Sequence, residues 1–149
     1  MSNRILIVDD EPASITLLKA YLIDITNEIL GVTDSRAAEQ AVTDFDPDLV
    51  LLDLHMPAPD GLEVLRRLHN ARESHGFLPV IVLTADVGQV PRNRALDLGA
   101  NDFLIKPLDR LEVVLRVRNL MRTRHLFLEV TGGHGHTHYG KPDVKRGRG

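Results

Sequence analysis

The stretch Ile5-Leu-Ile-Val-Asp-Asp-Glu-Pro12 joins a short apolar run to three acidic residues and a proline. Four consecutive apolar residues are typical of a strand that is buried on both faces. A proline shortly afterwards is typical of the first turn of a helix. The sequence therefore opens with a strand followed by a helix. Further apolar runs of this kind, some of them weaker, cover residues 29–32, 49–52, 79–83 and 102–105.

Segments with apolar residues at helical spacing follow each of these runs. Helix starts are indicated by Pro12, Ser35, the pair Asp60-Gly61 and Pro91. Five strands thus alternate with five helices along one chain. Strict alternation with short connections predicts a single α/β domain, in which a parallel sheet is covered by helices on both faces in three layers.

Composition and net charge exclude several classes of protein. Apolar residues make up 43% of the 149 residues, which is enough for one core. Residues 1–122 carry a net charge of −6 and residues 123–149 carry +3, so the acidic body argues against direct binding of nucleic acid. The sequence has no cysteine and no apolar stretch typical of a signal peptide or a membrane span. We therefore expect a cytoplasmic protein without disulfides and without a membrane partner.

The residues that follow the apolar runs form the candidate site, because ligands bind outside the carboxyl ends of parallel strands. The first run is followed by Asp9-Asp10 and the third by Asp53. Thr84 follows the fourth run, and Lys106 follows the fifth. The sequence therefore predicts that three carboxylates, a hydroxyl and an amine converge on one pocket.

Three neighbouring carboxylates need a cation, because each pair of like charges at 4 Å costs about 1 kcal/mol in water and about 4 kcal/mol at a protein surface. Carboxylate ligands without His or Cys favour Mg²⁺, and Lys106 suits a phosphate oxygen. A carboxylate neutralised in this way can attack phosphorus and form an acyl phosphate. Asp53, alone at its strand end, is the expected nucleophile, whereas Asp9 and Asp10 are the expected metal ligands.

Other phosphate-handling folds fit the sequence less well. Neither G-x-x-x-x-G-K-[ST] nor G-x-G-x-x-G follows the first strand, so a nucleotide cradle is not expected. Haloacid-dehalogenase-like phosphatases also place Asp, Thr and Lys at strand ends, but their motif is Asp-x-Asp. The corresponding residues here are Asp9-Asp10-Glu11. A phosphatase of that type is a distant alternative.

Taken in order, the motifs resemble the receiver domain of bacterial two-component response regulators, and the plan is similar to that of the chemotaxis response regulator. The resemblance covers residues 4–122 and implies a flavodoxin-like, doubly wound (βα)5 fold with a five-stranded parallel sheet in the order 2-1-3-4-5. The matching stretches are ILIVDDEP (5–12), LVLLDLHMP (49–57), DG (60–61), VIVLTA (80–85) and GANDFLIKP (99–107).

The resemblance implies that Asp53 accepts a phosphoryl group from a sensor histidine kinase or a phosphotransfer protein. Asp10, Asp53 and the backbone carbonyl of His55 would bind Mg²⁺, and Asp9 would assist through water. Lys106 would contact the phosphoryl group. Such a domain is a phosphoacceptor that catalyses only its own phosphorylation and dephosphorylation, and it is not otherwise an enzyme.

Further residues receive roles from the same resemblance. Thr84 would complete the catalytic set by reorienting to bond the phosphoryl group, and Phe103 would move inward behind it as the second switch residue. His55 and Asp86 stand where the family tunes the lifetime of the acyl phosphate. The His55 side chain itself is expected to point outward. Pro107 matches the family's cis-proline.

We call the surface that would change on phosphorylation the switch face, which comprises the fourth predicted helix, the fifth strand and the fifth helix, at about residues 91–122. The resemblance implies that a downstream output protein, or an output domain of a longer chain, contacts this face. It also implies a homodimer formed through it. The alternative from another class is a receiver-shaped interaction module that does not cycle phosphate.

The C-terminal part of the sequence differs from the body. Residues 1–122 form the predicted receiver domain, and residues 123–149 the end of an extended helix and a flexible tail rich in Gly, His and basic residues. The Arg-rich helix end resembles the helix that links receivers to cyclic-di-nucleotide synthesis or hydrolysis domains, with a basic last turn favoured by the helix dipole as the alternative. His134, His136 and His138 could bind a transition metal loosely, although a tail without a role is the simpler interpretation.

Overall fold

The computed structural model of the chain describes residues 3–85 and 88–131. One parallel sheet lies at its centre, in the order β2-β1-β3-β4-β5. The order confirms the predicted flavodoxin-like plan, in which β3 pairs with both β1 and β4. The strands are β1 (Ile5–Val8), β2 (Ile29–Val32), β3 (Leu49–Asp53), β4 (Val80–Thr84) and β5 (Asp102–Ile105).

Within the described ranges, helices follow every strand. They are α1 (Pro12–Tyr21), α2 (Ala38–Phe45), α3 (Gly61–Arg67), α4 (His69–Ser74), α5 (Gln89–Asp97) and α6 (Arg110–Val130), and a single 3-10 turn, Ser35–Ala37, precedes α2.

Two apolar clusters hold the helices against the sheet. On one face, Ile5, Ile7 and neighbouring strand residues pack against α1 and α6. On the other face, Leu6, Val8 and their neighbours pack against α2, α3 and α5. All four residues of β1 and all five of β3 are buried. Consecutive apolar residues therefore serve both faces, as their pattern predicts.

The helix starts agree in part with the sequence. Pro12 begins α1, and Asp60 accepts a hydrogen bond of 3.0 Å from the Glu63 amide at the start of α3. The first turn before α2 is capped by Asp34, which accepts from the Arg36 amide, and not by Ser35. Capping needs a side-chain oxygen just outside the helix, and Asp34 supplies it.

The third predicted helix is split. It divides at Leu68, whose ψ of −8° tightens the backbone between α3 and α4. Leu68 is fully buried and belongs to the core cluster, so the apolar contact is kept at the division. Neither proline nor glycine stands at this position, and the sequence therefore carries no signal for the division.

The last helix is long. α6 has 21 residues, and Met121 and Arg124 are still buried against the body. The predicted boundary at residue 122 thus falls inside a continuous helix. Asp86 and the histidines at 134, 136 and 138 lie outside the described residues. In the described part of the chain, no helix combines the length and the apolar character needed to span a membrane.

Candidate functional site

The carboxyl ends of the central strands bring the predicted site residues together. Asp9 follows β1, Asp53 ends β3 and Thr84 ends β4, and these three residues are 0%, 2% and 4% exposed. Lys106 directly follows β5. Because all strands run in one direction, these side chains reach the same edge of the sheet.

Three carboxylates form the acidic part of the site. One oxygen each from Asp9, Asp10 and Asp53 lies within 4.8 Å of the other two. Among the described residues, a cavity of about 310 Å³ is lined by Asp10, Glu11, Asp53, His55, Ala85 and Lys106. The Glu11 amide donates a 3.0 Å hydrogen bond to Asp9, which orients that carboxylate within its own loop.

Lys106 supplies the positive charge of the site. Its ammonium nitrogen lies 3.2 Å from an Asp9 oxygen, 3.5 Å from an Asp53 oxygen and 3.7 Å from a Glu11 oxygen. Burial alone would lower the pKa of Lys106, but attraction to Asp53 and Asp9 outweighs it and raises the pKa. The amine therefore stays protonated and directed at the carboxylates.

The charge of Lys106 is not enough to keep the pKa of Asp53 at its usual value. Burial raises the pKa of its carboxyl above the usual value and repulsion from Asp9 adds to the rise, whereas a 3.1 Å hydrogen bond from the His55 amide and the charge of Lys106 oppose it. A divalent cation would favour the ionised form. Three carboxylates without His or Cys ligands fit Mg²⁺, which accepts one or two carboxylates and keeps several waters.

The loop after β3 depends on Gly61, which sequence reasoning marked only as a helix start. A Cβ at this position would lie 2.3 Å from the Asp53 carbonyl oxygen and 2.4 Å from the Leu54 Cα. The Gly61 amide donates a 3.1 Å hydrogen bond to the Leu54 carbonyl. The start of α3 is thereby drawn against the backbone of the candidate nucleophile.

The His55 side chain does not simply point outward. The residue is exposed, but its ring Nε2 lies 3.0 Å from Thr84 Oγ1. A histidine two residues after Asp53 gives no sign in the sequence that it will reach the end of the next strand. The structure thus joins two predicted site residues by a contact that the sequence analysis missed.

Phe103, the second predicted switch residue, lies half-buried in β5. It packs at the margin of the core cluster under α2, α3 and α5. The guanidinium carbon of Arg92, in α5, lies 5.4 Å from the centre of its ring, within the range of a cation–π contact. The predicted cis bond before Pro107 is confirmed, and a second cis bond precedes Pro59.

Comparison with known proteins agrees with this geometry. The family model described as the response regulator receiver domain matches residues 5–118. The response regulator GtcR of Aneurinibacillus migulanus is 38% identical over 129 residues, which are 87% of this chain and 52% of that protein. The response regulator PleD of Caulobacter vibrioides is 39% identical over 122 residues, which are 82% of this chain and 27% of that protein. The chain therefore spans about half or less of the length of these curated relatives.

Solved structures show the same fold. The receiver domain of NtrX from Brucella abortus matches with a TM-score of 0.72 and 29% identity, over 80% of this chain and 98% of that one. A CheY-like response regulator receiver domain protein from Methanospirillum hungatei matches with a TM-score of 0.77 and 21% identity, over 85% of this chain and 98% of that one. The second likeness supports the fold alone.

Proposed function

Since the chain belongs to the response regulator receiver family of two-component systems, we propose that Asp53 accepts a phosphoryl group from a sensor histidine kinase or a phosphotransfer protein. Phosphorylation would then change the switch face, which in the structure comprises α5, β5 and α6 up to residue 122. One observation carries the proposal: three carboxylates and a lysine meet in one cavity at the carboxyl edge of the sheet.

Asp53 would act as the nucleophile. A carboxylate oxygen of Asp53 bonds to phosphorus while the bond between phosphorus and the donor's imidazole nitrogen breaks, and the imidazole leaves with the electron pair. The hydrogen bond from the His55 amide holds one Asp53 oxygen, and the other faces Lys106 at 3.5 Å. The carboxylate is therefore oriented before the donor arrives.

The remaining residues stabilise charge. Asp10, Asp53 and the His55 carbonyl would hold Mg²⁺ with assistance from Asp9 through water, and the bound ion would neutralise the transferred phosphoryl oxygens. Lys106 would contact the same oxygens as a protonated amine, and Thr84 would donate a hydrogen bond to one of them. Phe103 would follow Thr84 inward, and His55 and Asp86 would set the lifetime of the acyl phosphate.

Incubation with Mg²⁺ and acetyl phosphate, followed by intact-mass spectrometry, tests the proposal. We expect one added phosphoryl group on the wild-type protein and none on Asp53→Asn. No addition to the wild type would favour the receiver-shaped module that does not cycle phosphate. The same addition to Asp53→Asn would rule out Asp53 as acceptor, and sustained phosphate release from many monoesters would favour a phosphatase.

The output is part of the proposal as well. We expect a cytoplasmic protein whose switch face contacts an output protein, an output domain of a longer chain or a second copy. The chain covers about half of GtcR and about a quarter of PleD, so an output domain in the same polypeptide is a natural partner. No direct contact with nucleic acid or a membrane is proposed for this domain.

A further inference from the structure

The contact between His55 and Thr84 links the loop after β3 to the end of β4. The two residues are separated by 29 positions in the chain, yet the ring Nε2 and the hydroxyl oxygen are 3.0 Å apart. Thr84 is 4% exposed, whereas His55 is exposed. An exposed histidine therefore engages the side chain of a buried threonine at the edge of the site.

The His55 ring lies at the edge of the candidate phosphorylation site. His55 lines the cavity that contains Asp53 and Lys106. The Thr84 hydroxyl lies within hydrogen-bond distance of the imidazole of this residue. In the proposed function the hydroxyl turns toward a phosphoryl oxygen on Asp53, and that movement would break its contact with the ring.

We propose that His55 is a positioning residue that holds Thr84 in the unphosphorylated arrangement and thereby opposes phosphorylation of Asp53. This inference rests on the proposed function of Asp53. Any interaction that exists only in one of two states shifts the population toward that state. The His55–Thr84 hydrogen bond exists in the unphosphorylated state, so its loss favours the phosphorylated one.

The expected effect is modest, because water can take the place of the imidazole as a hydrogen-bond partner of the Thr84 hydroxyl. A net hydrogen bond of this kind corresponds to a shift of about twofold to tenfold in an equilibrium constant. An effect of that size is measurable by calorimetry.

Two substitutions separate the hydrogen bond from the bulk of the ring. In His55→Gln, the side-chain amide nitrogen stands about where Nε2 stands in the imidazole, so the contact with Thr84 can form. In His55→Asn, the amide stands at the place of Nδ1 and falls short of Thr84. The glutamine variant should therefore stay closer to wild type than the asparagine and alanine variants.

The equilibrium test is calorimetric titration of the protein with beryllium fluoride and Mg²⁺, which mimic the phosphoryl group without hydrolysis. We expect about twofold to tenfold tighter binding in His55→Ala and His55→Asn than in the wild type. In a Thr84→Val background the same substitutions should change nothing. His69→Ala removes an exposed histidine whose ring lies 3.5 Å from a Glu73 oxygen, away from the site, and it serves as the matched control.

A second readout needs no ligand. Scalar couplings of the Thr84 methyl group report its rotamer populations, which we expect to differ between the wild type and His55→Ala. Unchanged Thr84 rotamer populations in His55→Ala, or equal or weaker beryllium fluoride binding by that variant, would overturn the inference. Failure of the wild type itself to bind beryllium fluoride would instead contradict the proposed function, and the rotamer measurement would still decide the contact.

Discussion

At the scale of single residues, Asp53 combines burial with two carboxylate neighbours. Its side chain is almost inaccessible, and the nearest cation, Lys106, is shared with Asp9 and Glu11. Burial, the largest effect, and repulsion from Asp9 raise the pKa of Asp53, the hydrogen bond from the His55 amide and the charge of Lys106 lower it, and the net shift is upward. Without a divalent cation, the ionised residue therefore destabilises the fold at neutral pH.

Removing the Asp53 charge should stabilise the metal-free protein. Folding raises the pKa of Asp53. The contribution of Asp53 to the free energy of unfolding is therefore most favourable below the pKa that this residue has in the unfolded chain, and it is lost as the pH rises through the pKa in the folded state. We expect Asp53→Asn to raise the free energy of unfolding at pH 7 by about 1 kcal/mol, with a smaller difference at about pH 4. Urea denaturation in EDTA measures both values.

With Mg²⁺ bound, the wild type should be more stable than Asp53→Asn. At a concentration about 100 times its Kd, a ligand that binds only the folded state stabilises it by about 2.7 kcal/mol. The wild type should show such a gain, and Asp10→Asn and Asp53→Asn should lose most of it. Asp44→Asn, at an exposed position of α2, should keep the full gain. An unchanged Mg²⁺ effect in Asp10→Asn would exclude that carboxylate as a ligand.

Gly61 should tolerate no side chain. A Cβ would overlap the backbone of Asp53 and Leu54, which cannot rotate away as a flexible side chain could. We expect Gly61→Ala to lower the free energy of unfolding by about 1–3 kcal/mol and to weaken Mg²⁺ binding. Denaturation and calorimetry test the two effects. Gly88→Ala is the control, since the φ of −67° at Gly88 suits alanine; an equal loss there would contradict the steric explanation.

At the scale of elements, α6 is anchored at the end of the sheet opposite the site. The Arg124 guanidinium lies 3.2 Å from an Asp48 oxygen and donates to the carbonyls of His75 and Phe77. Asp48 in turn accepts a 2.8 Å hydrogen bond from the Arg4 amide. The part of α6 around Arg124 therefore belongs to the body of the domain, although it lies beyond the predicted boundary at residue 122.

Breaking this anchor should cost much of the stability. Arg124 is 3% exposed, and replacing it by methionine leaves Asp48 buried without its guanidinium partner. We expect Arg124→Met to lower the free energy of unfolding by about 3–5 kcal/mol, as measured by denaturant titration. Arg122→Met, an exposed position on the same helix, should change little. The double variant Asp48→Asn/Arg124→Met should recover part of the loss in the free energy of unfolding. A loss below about 1 kcal/mol in the single variant Arg124→Met would show that α6 is held by apolar packing alone.

Elements differed in how far the sequence predicted them. Fully buried strands such as β3 were predicted because a run of consecutive apolar residues is typical of a strand that is buried on both faces. The ends of the predicted strands then indicated that Asp53 and Lys106 belong to the site. Arg124 was not predicted to be buried, because its partner Asp48 is 76 residues away and an arginine in a helix is usually exposed. The ring of His55 and the close approach at Gly61 were missed for the same reason: both depend on contacts between separate segments.

At the scale of the whole molecule, the site and the anchor lie at opposite edges of one sheet, and α6 runs between them. Its exposed side belongs to the switch face and carries Leu111 and Leu115, which are 62% and 55% exposed. Acidic side chains, Asp109 and Glu112, stand toward one end of this surface, and Arg118 and Arg122 toward the other. A two-fold axis perpendicular to the helix would bring opposite charges of two copies together around the leucines.

We therefore expect the protein to dimerise through the switch face when it holds Mg²⁺ and beryllium fluoride. Leu115→Glu would place a charge in the apolar centre of the interface and should weaken the dimer by at least about tenfold, measured by sedimentation equilibrium. Leu126→Glu is the matched control, because Leu126 is also 55% exposed on α6 but lies outside the face. Equal weakening by both substitutions would place the interface along the end of α6, and a monomer under all conditions would assign the face to an output partner instead.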